Sequence, residues 1–125
     1  MLTLLLVAIH IAATAEAMAL GLKAGVDVDL MIKAIATGSG GSTQFGIRAP
    51  WMAERRFLPA QGTAPALQHY FDMIDEFADS VGVATPILDR AVELYDKFMD
   101  MGLGEKDVAA MVDVIGALPR AKPAH

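Results

Sequence analysis

The feature that most constrains this fold is an alanine-rich apolar helix that starts at the first residue of the sequence. Residues 1–20 carry no charged side chain other than Glu16, so the helix lacks a polar face and is expected to be buried on most sides. Nothing in the sequence precedes it to cap the N–H groups of its first turn. We therefore expect the chain to be the C-terminal part of a larger protein, with another domain or a second subunit packed on this helix.

Composition narrows the class of protein. A chain of 125 residues makes one domain with its own core. Apolar residues make up 54% of it, and we expect a partner to cover part of so apolar a surface. The net charge of −5, with no basic cluster beyond Arg55-Arg56, disfavours nucleic acid as a partner. The absence of cysteine excludes disulfides and thiolate chemistry and fits a cytoplasmic location.

The apolar start also permits a targeting interpretation. Residues 1–13 have the length of a signal-peptide core, and Ala13-Thr14-Ala15 resembles a cleavage site. A cleaved leader would make the chain a secreted helical bundle. Against this, no Lys or Arg precedes the apolar run, and the helical pattern continues to Leu22. Glu16 interrupts the run before the ~20 apolar residues of a membrane span, so no membrane partner is expected.

Every periodic segment has helical spacing, and the predicted fold class is all-α with six to seven helices. The fourth helix is the clearest, because apolar residues recur on one face at 3-4 spacing. Its predicted core face comprises Leu67, Tyr70, Phe71, Ile74, Phe77, Ala78 and Val81, and that of the next helix includes Ile87, Leu88, Leu94, Tyr95, Phe98 and Met101. A short helix at 44–48 is expected to stop at Pro50, with residues 51–62 irregular and residues 119–125 forming a flexible tail.

The glycine-rich segment 38–43 is the first candidate for a ligand site. No strand precedes it, so a dinucleotide-binding loop is disfavoured. It is either a plain connection between helices, or its N–H groups and the Ser42 and Thr43 hydroxyls face a ligand at the next helix N-terminus.

The histidines are the other candidates. His69, Asp72 and Glu76 share a helix face at the spacing of half a metal site, but a solvated acidic face is favoured, so no metal site is expected. His10 lies in the apolar first helix and is expected to be a core histidine with one ring nitrogen hydrogen-bonded, not a catalyst. Spacing alone predicts no self-sufficient active site in this chain.

Three stretches carry a family resemblance through their order and spacing. Together they resemble the C-terminal domain of the β-hydroxyacid dehydrogenases, the 3-hydroxyisobutyrate dehydrogenase family, which is related to 6-phosphogluconate dehydrogenase. The stretches are 5–20 with Lys23-Ala24-Gly25-Val26-Asp27; Ser39-Gly40-Gly41-Ser42 with Phe45 and Arg48; and Val81-Gly82-Val83 with Pro86, Leu94-Tyr95 and Gly102-Leu103-Gly104-Glu105-Lys106-Asp107.

The resemblance implies a dimerising helical bundle over residues 1–118, of the kind in the 6-phosphogluconate dehydrogenase C-terminal domain. It implies an N-terminal Rossmann domain, absent from this chain, that binds NAD or NADP; no cofactor is expected on this chain alone. The implied chemistry is hydride transfer between the nicotinamide and a small hydroxy acid. The implied role of the chain is therefore substrate binding and dimerisation within a cytoplasmic oxidoreductase. A non-catalytic helical homodimeric interaction module is the alternative.

Residue by residue, the resemblance implies substrate contacts at Thr3, Gly41, Ser42 and His69. The family's Asn-Asn pair falls on Thr3 and Leu4, and its catalytic lysine falls one residue before Met1. A second family lysine, in a Lys-Asp pair, falls on His69, which could stand in for that lysine as a donor. No catalytic, cofactor-binding or metal-binding residue is expected in the chain. The catalytic lysine and the cofactor domain would be missing either because the chain is a fragment or because its reading frame is short.

Overall fold

The computed structural model describes residues 1–121, and within them it contains six α-helices, one 3₁₀ turn and no β-strand. The all-α fold class is therefore confirmed. The helices are α1 (Leu2–Ala24), α2 (Val28–Ala36), α3 (Thr43–Glu54), α4 (Ala64–Val81), α5 (Pro86–Asp100) and α6 (Met111–Ala117), and the 3₁₀ turn Val108–Ala110 leads directly into α6. Of the predicted tail, residues 119–121 have no regular secondary structure, and residues 122–125 lie outside the described residues.

The connection between α1 and α2 follows the predicted signals. Gly25 ends α1 in the left-handed region, at φ 75°, and its N–H donates to the carbonyls of Gly21 and Leu22. Asp27 then caps α2, its carboxylate accepting a hydrogen bond from the Leu30 N–H at 3.1 Å. The chain reverses here, so α2 returns alongside the second half of α1.

The prediction that the third helix stops before Pro50 is wrong. Helix α3 continues through Pro50 to Glu54, although the proline cannot donate to the Gly46 carbonyl. The helix persists because Ala49 and Met52, on either side of the proline, are buried in the core, and tertiary packing outweighs one lost backbone bond. The irregular segment predicted from residue 51 begins instead at Arg55, whose positive φ of 57° ends α3.

Helix α1 is the centre of the bundle and packs against α3, α4, α5 and α6. Its buried face is built mainly of small residues, which let neighbouring helices approach closely. Tyr95 of α5 reaches this face and donates its hydroxyl to the Ala8 carbonyl at 2.9 Å, with the Phe71 ring of α4 at 5.5 Å. Burial raises the pKa of the Tyr95 hydroxyl, an effect that the positive charge of Arg48 opposes.

The chain itself covers only one side of α1, so the expectation of burial on most sides is not met within the described residues. The buried residues are Ala8, Ile11, Ala12, Thr14, Ala15 and Met18, whereas Leu2, Leu6, Leu20 and Leu22 are exposed. By length and composition α1 could also cross a membrane, with a mean hydropathy of 1.8 in its most apolar window. A third of that window is buried in the bundle. Core helices of soluble proteins and signal sequences near an N-terminus share this length and composition.

The predicted core face of α4 is only partly buried. Its buried apolar side chains are Leu67, Phe71 and Ile74, whereas Tyr70, Phe77 and Val81 are exposed, as are Ile87 and Met101 of the predicted α5 face. The reason is that α4 packs mainly against α1 and α5, and these two helices cover a narrower stripe than the predicted face. We call Tyr70, Met73, Phe77 and Val81, which lie exposed at i, i+3, i+7 and i+11, the α4 stripe.

Candidate functional site

A pocket of about 290 Å³ lies between the middle of α1, the end of α2, the glycine loop and the start of α3. This volume is at the lower end for ligand pockets, which span roughly 300–1,000 Å³. The pocket is open to solvent and lined by His10, Ala13, Thr14, Ala17, Ile35, Ser39, Gly40, Gly41, Ser42 and Phe45. It therefore joins the first and second stretches that carry the family resemblance.

The α1 side of the pocket places two polar residues one helical turn apart. His10 and Thr14 lie at i and i+4, and therefore on one face of the helix. Ala13 and Ala17 complete this wall and, being small, leave the volume open. Thr3 lies on the same face, about 10 Å nearer the start of α1 at the ordinary helical rise.

The opposite wall is the glycine loop, which lies directly on the end of α2. A Cβ atom at Gly41 would lie 2.8 Å from the Ile35 carbonyl oxygen and 3.0 Å from that of Ala36. Both contacts are with backbone atoms, which cannot turn aside as a side chain can. Glycine at position 41 is therefore required for the loop to approach α2 and form this side of the pocket.

Ser42 connects the loop to α3. As the N-cap residue, it accepts a hydrogen bond on Oγ from the Phe45 N–H at 3.0 Å. A serine hydroxyl also carries one donor, and the cap uses the oxygen only as an acceptor. Ser42 therefore has a fixed position on the pocket wall and retains an O–H group with which to donate to a ligand.

Neither polar side chain of the α1 wall has a hydrogen-bond partner among residues 1–121. Thr14 is only 4% exposed and lines the pocket. The one fully enclosed side-chain polar atom without a hydrogen-bond partner in residues 1–121 is Arg48 Nε, so the Thr14 hydroxyl is accessible from the pocket. His10 is half-buried at the same wall. The expectation that His10 is a core histidine with one ring nitrogen hydrogen-bonded is therefore wrong. Its ring lies beside an open pocket, where no protein group accepts or donates a hydrogen bond to it.

The charges around the pocket differ from those of the chain as a whole. The chain has 15 acidic and 10 basic residues, yet no carboxylate lines the pocket, and His10 is its one ionisable lining residue. The remaining polar groups there are hydroxyls and backbone amides. Such a lining suits an oxygen-rich ligand, and it lacks the negative charge that would repel an anion.

The structure brings together two of the four predicted substrate-contact residues. Gly41 and Ser42 line the pocket, whereas Thr3 and His69 do not. Thr3 is exposed in the first turn of α1, and His69 is exposed on α4 with its ring edge-on to Tyr70 at 5.1 Å. Sequence reasoning assigned His10 to the core and did not consider Thr14. Their spacing from Thr3, at i+7 and i+11, was a signal that polar residues share one face of an apolar helix.

No grouping of three or more His, Cys, Asp or Glu side chains suitable for a metal ion occurs in residues 1–121. This applies to His69, Asp72 and Glu76, which share an exposed face of α4. All three side chains are exposed to solvent.

Arg48 and Asp107, from the second and third resembling stretches, form a buried ion pair. Asp107 is fully buried, and its Oδ1 lies 3.5 Å from Arg48 Nε. The same carboxylate accepts hydrogen bonds from the backbone N–H groups of Gln61, Gly62 and Ala109. Arg48 also donates to the Gln44 side chain at 2.7 Å. The pair is structural: it fastens α3 to the segment before α4 and to the 3₁₀ turn, and so holds the α3 wall of the pocket in place.

The described residues do not fit a whole dinucleotide. The glycine loop follows helix α2 and not a β-strand, so it lacks the strand–loop–helix geometry that presents a pyrophosphate to a helix N-terminus. The pocket is also small, and no acidic side chain lines it to hold a ribose.

Comparison with known proteins identifies what the chain is similar to. Residues 1–115 match the family described as "NAD-binding of NADP-dependent 3-hydroxyisobutyrate dehydrogenase". The L-threonate dehydrogenase of Escherichia coli K12 is 27% identical over 120 residues, which cover 94% of this chain and 39% of that protein. The L-threonate dehydrogenase of Cupriavidus necator is 30% identical over 88% of this chain and 37% of its own length.

A solved structure shows the same fold. The 3-hydroxyisobutyrate dehydrogenase from Salmonella typhimurium superposes with a TM-score of 0.83 at 24% identity, covering 90% of this chain and 39% of the other. The chain therefore spans well under half the length of these relatives. The similarity includes α1, the glycine loop and the segment containing Asp107.

Proposed function

The chain belongs to the family whose description is the NAD-binding domain of NADP-dependent 3-hydroxyisobutyrate dehydrogenase, and on that basis we propose that it is the helical part of a hydroxyacid dehydrogenase-like oxidoreductase. In this proposal its role is to form one wall of the substrate cleft and to join two subunits. The substrate class is a small hydroxy acid, as the relatives named L-threonate dehydrogenase suggest.

The observation that carries the proposal is the composition of the pocket. It lies where α1 and the glycine loop meet, the two segments that open the family match, and no carboxylate lines it. Hydroxyl groups and a histidine provide hydrogen-bond donors for the oxygens of a hydroxy acid. Gly41 would contribute through its backbone and Ser42 through its hydroxyl.

The family description names NAD binding, whereas we propose that NAD or NADP is held mainly by a domain other than this one. The support is the poor fit of a dinucleotide to the described residues, argued above. When bound, the nicotinamide would supply the hydride acceptor for oxidation of the hydroxy acid. The contribution of this chain would be to bind and orient the substrate next to it.

Thr3 and His69 would join the site only when another domain or subunit packs against the chain. Both side chains are exposed, and neither lines the pocket. Thr3 lies on the pocket face of α1. A domain that packs on the start of that helix would therefore cover Thr3 at the edge of the pocket. His69, with one N–H directed at substrate, would supply the donor that the family's second lysine supplies.

The experiment is to tag the protein at its C-terminus in its own genome, purify it from the cytoplasm and measure NAD(P)-dependent oxidation of L-threonate and 3-hydroxyisobutyrate. We expect reduction of the cofactor with at least one of these acids. We expect Ser42→Ala and His69→Leu to raise KM more than they lower kcat, since they would remove substrate contacts. A purified protein that neither binds NAD(P)H nor oxidises any hydroxy acid would refute the proposal.

The alternative function is a helical homodimeric interaction module without catalysis, in which the α4 stripe would be the main functional surface. Its four apolar side chains, Tyr70, Met73, Phe77 and Val81, are exposed in one row along the helix, and adjacent exposed apolar side chains are typical of interaction sites. Under both proposals this row would pair two copies of the chain. The experiment with the genomically tagged protein distinguishes the two proposed functions, because only the dehydrogenase proposal predicts reduction of the cofactor.

A further inference from the structure

We propose that the pocket between α1 and the glycine loop is a carboxylate-binding subsite, in which His10 holds the acid group of a small hydroxy acid and Thr14 holds one of its hydroxyls. The identity of the ligand as a hydroxy acid rests on the function proposed above. The assignment of His10 and Thr14 rests on the geometry of this chain, since neither residue belongs to the positions that the resemblance assigned to substrate.

Thr14 is the first independent observation. A threonine hydroxyl can donate one hydrogen bond and accept others, and where the protein offers no partner it is left to water or to a ligand. Thr14 is 4% exposed and could bond to the carbonyl of His10 one turn earlier, as Thr37 does to Lys33 at 2.9 Å. No such bond is present at Thr14 within residues 1–121, so its hydroxyl is left for whatever enters the pocket.

His10 is the second observation. Its ring lines the same pocket and has no hydrogen-bond partner within the described residues. An imidazole carries at least one N–H donor in either protonation state, and it donates to a carboxylate more strongly than to a neutral oxygen. No acidic side chain lines the pocket to occupy this donor in place of a ligand.

The shape of the pocket restricts the ligand to a small molecule. His10 and Thr14 are one turn apart, with Cβ atoms about 5–6 Å from each other at ordinary helical spacing. Side chains at that separation can converge on one small molecule that carries a carboxylate and a hydroxyl on neighbouring carbon atoms. Ser42, on the facing wall, retains its O–H donor for a second ligand oxygen. An acid with one or more hydroxyls uses all three groups, whereas a simple acid or a simple polyol uses only part of them.

The test is a titration of the 125-residue chain, labelled with ¹⁵N at its histidine rings, with sodium D-glycerate. We expect a saturable shift of the His10 ring signals with a millimolar dissociation constant and no comparable shift at His69. Propionate, which has the acid group alone, and glycerol, which has the hydroxyls alone, are each expected to bind at least about fivefold more weakly, since each loses a hydrogen bond worth about 1 kcal/mol.

Three variants assign the contacts. His10→Leu is expected to weaken glycerate binding by about tenfold or more, because it removes the donor to the charged acid group. Thr14→Val keeps the branched shape of the side chain and removes only its hydroxyl, so about fivefold weakening is expected. The matched control is Thr63→Val, which removes the hydroxyl of a residue that makes no side-chain cap bond and lies outside the pocket lining; it should bind glycerate like the parent chain.

The outcomes are decisive for the subsite. The proposal is overturned if His10 does not respond to glycerate, if His69 responds in its place, or if propionate or glycerol binds as tightly as glycerate. Thermal unfolding verifies that each variant folds. Should His10→Leu not fold, His10→Ala replaces it, and undiminished glycerate binding by that variant, which has no side-chain donor, overturns the role of His10.

The same data separate failure of the subsite from failure of the proposed function. If the genomically tagged protein lacks dehydrogenase activity while His10 still responds to glycerate, the proposed function fails and the subsite stands. If the tagged protein oxidises hydroxy acids while His10 does not respond, the subsite alone is refuted.

Discussion

At the scale of single residues, residue types in the sequence predicted helix caps and helix ends better than they predicted the roles of side chains. Gly25 ends α1 and Asp27 caps α2 as their residue types suggest. His10 is different, because a histidine in an apolar helix looks the same in sequence whether it faces a core or a pocket. Its role depends on the glycine loop, which lies nearly thirty residues away in the sequence and whose position depends on Gly41.

Gly41→Ala is expected to destabilise the protein by about 1–3 kcal/mol, because the new methyl group meets two backbone carbonyl oxygens of α2. The control is Gly40→Ala. There the nearest atom to the added methyl is a side-chain carbon of Ile35 at an ordinary 3.8 Å, and we expect a change within about 0.5 kcal/mol. Urea unfolding of the three proteins measures both effects, and equal stabilities for the two variants would contradict the close approach.

Tyr95 makes the stability of the protein sensitive to alkaline pH. Burial raises the pKa of its hydroxyl in the folded state, whereas in the unfolded chain it is about 10. The contribution of the Tyr95 hydroxyl to the free energy of unfolding is therefore complete below about pH 10. It falls as the pH rises above that value, because the unfolded chain loses the hydroxyl proton at a lower pH than the folded protein does. The expected loss is at most about 1.4 kcal/mol per pH unit from this group.

Urea unfolding of the parent chain and of Tyr95→Phe, at a series of pH values from neutral to alkaline, measures this effect. At neutral pH the variant should be about 1 kcal/mol less stable, having lost the bond to the Ala8 carbonyl. Above pH ~10 the difference should shrink, since only the parent chain has this tyrosine to ionise on unfolding. Parallel curves for the two proteins would argue against a buried neutral hydroxyl.

At the scale of elements, buried contacts decide which parts of the chain are joined. Pro50 marks the end of a helix by local rules, but the burial of Ala49 and Met52 keeps α3 intact. The Arg48–Asp107 pair joins segments that are far apart in sequence. It explains why an arginine near the glycine loop and an aspartate near α6 both occur in stretches that resemble the family, although neither touches the pocket.

Asp107→Asn is expected to destabilise the protein by about 3–5 kcal/mol, since it leaves the Arg48 charge buried without a counter-charge. The amide would also present N–H donors toward backbone N–H groups that now donate to the carboxylate. Asp113→Asn is the matched control. It breaks the exposed Arg55–Asp113 pair, in which hydrogen bonding to Asp113 raises the pKa of Arg55. We expect this variant to lose less than about 1 kcal/mol of its free energy of unfolding. Chemical denaturation compares the two, and similar losses would count against the structural role of Asp107.

At the scale of the whole molecule, the most prominent property is the apolar surface that the chain leaves exposed. The high apolar content predicted such surface from composition alone, and only the fold shows which helices carry it. Leu2, Leu6, Leu20 and Leu22 of α1 and the α4 stripe carry much of it, and the rest is scattered over the other helices and loops. The two surfaces suit the two partners proposed above, another domain on α1 and a second copy of the chain on α4.

Phe77→Ser, in the middle of the α4 stripe, is expected to weaken a homodimer by at least about tenfold. The reason is that burying a phenylalanine is worth about 1.5–3 kcal/mol. Asp75→Ser is the control, because Asp75 is exposed on the opposite face of α4 and takes the same replacement. Sedimentation velocity over a range of concentrations measures the monomer–dimer equilibrium. A parent chain that stays monomeric throughout, or a dimer indifferent to Phe77→Ser, would rule out the stripe as the interface.

The sequence by itself determined the all-α fold class, most helix ends and the family, because helical periodicity, capping residues and short motifs are local properties of the chain. The tertiary structure alone decided that α3 passes through Pro50 and that three of the seven residues of the predicted α4 core face are exposed. It also decided that His10 and Thr14 line the pocket beside the glycine loop while Thr3 and His69 do not. These outcomes depend on which distant surfaces meet. Contacts of that kind are set by the packing of the whole chain, and no local pattern encodes them.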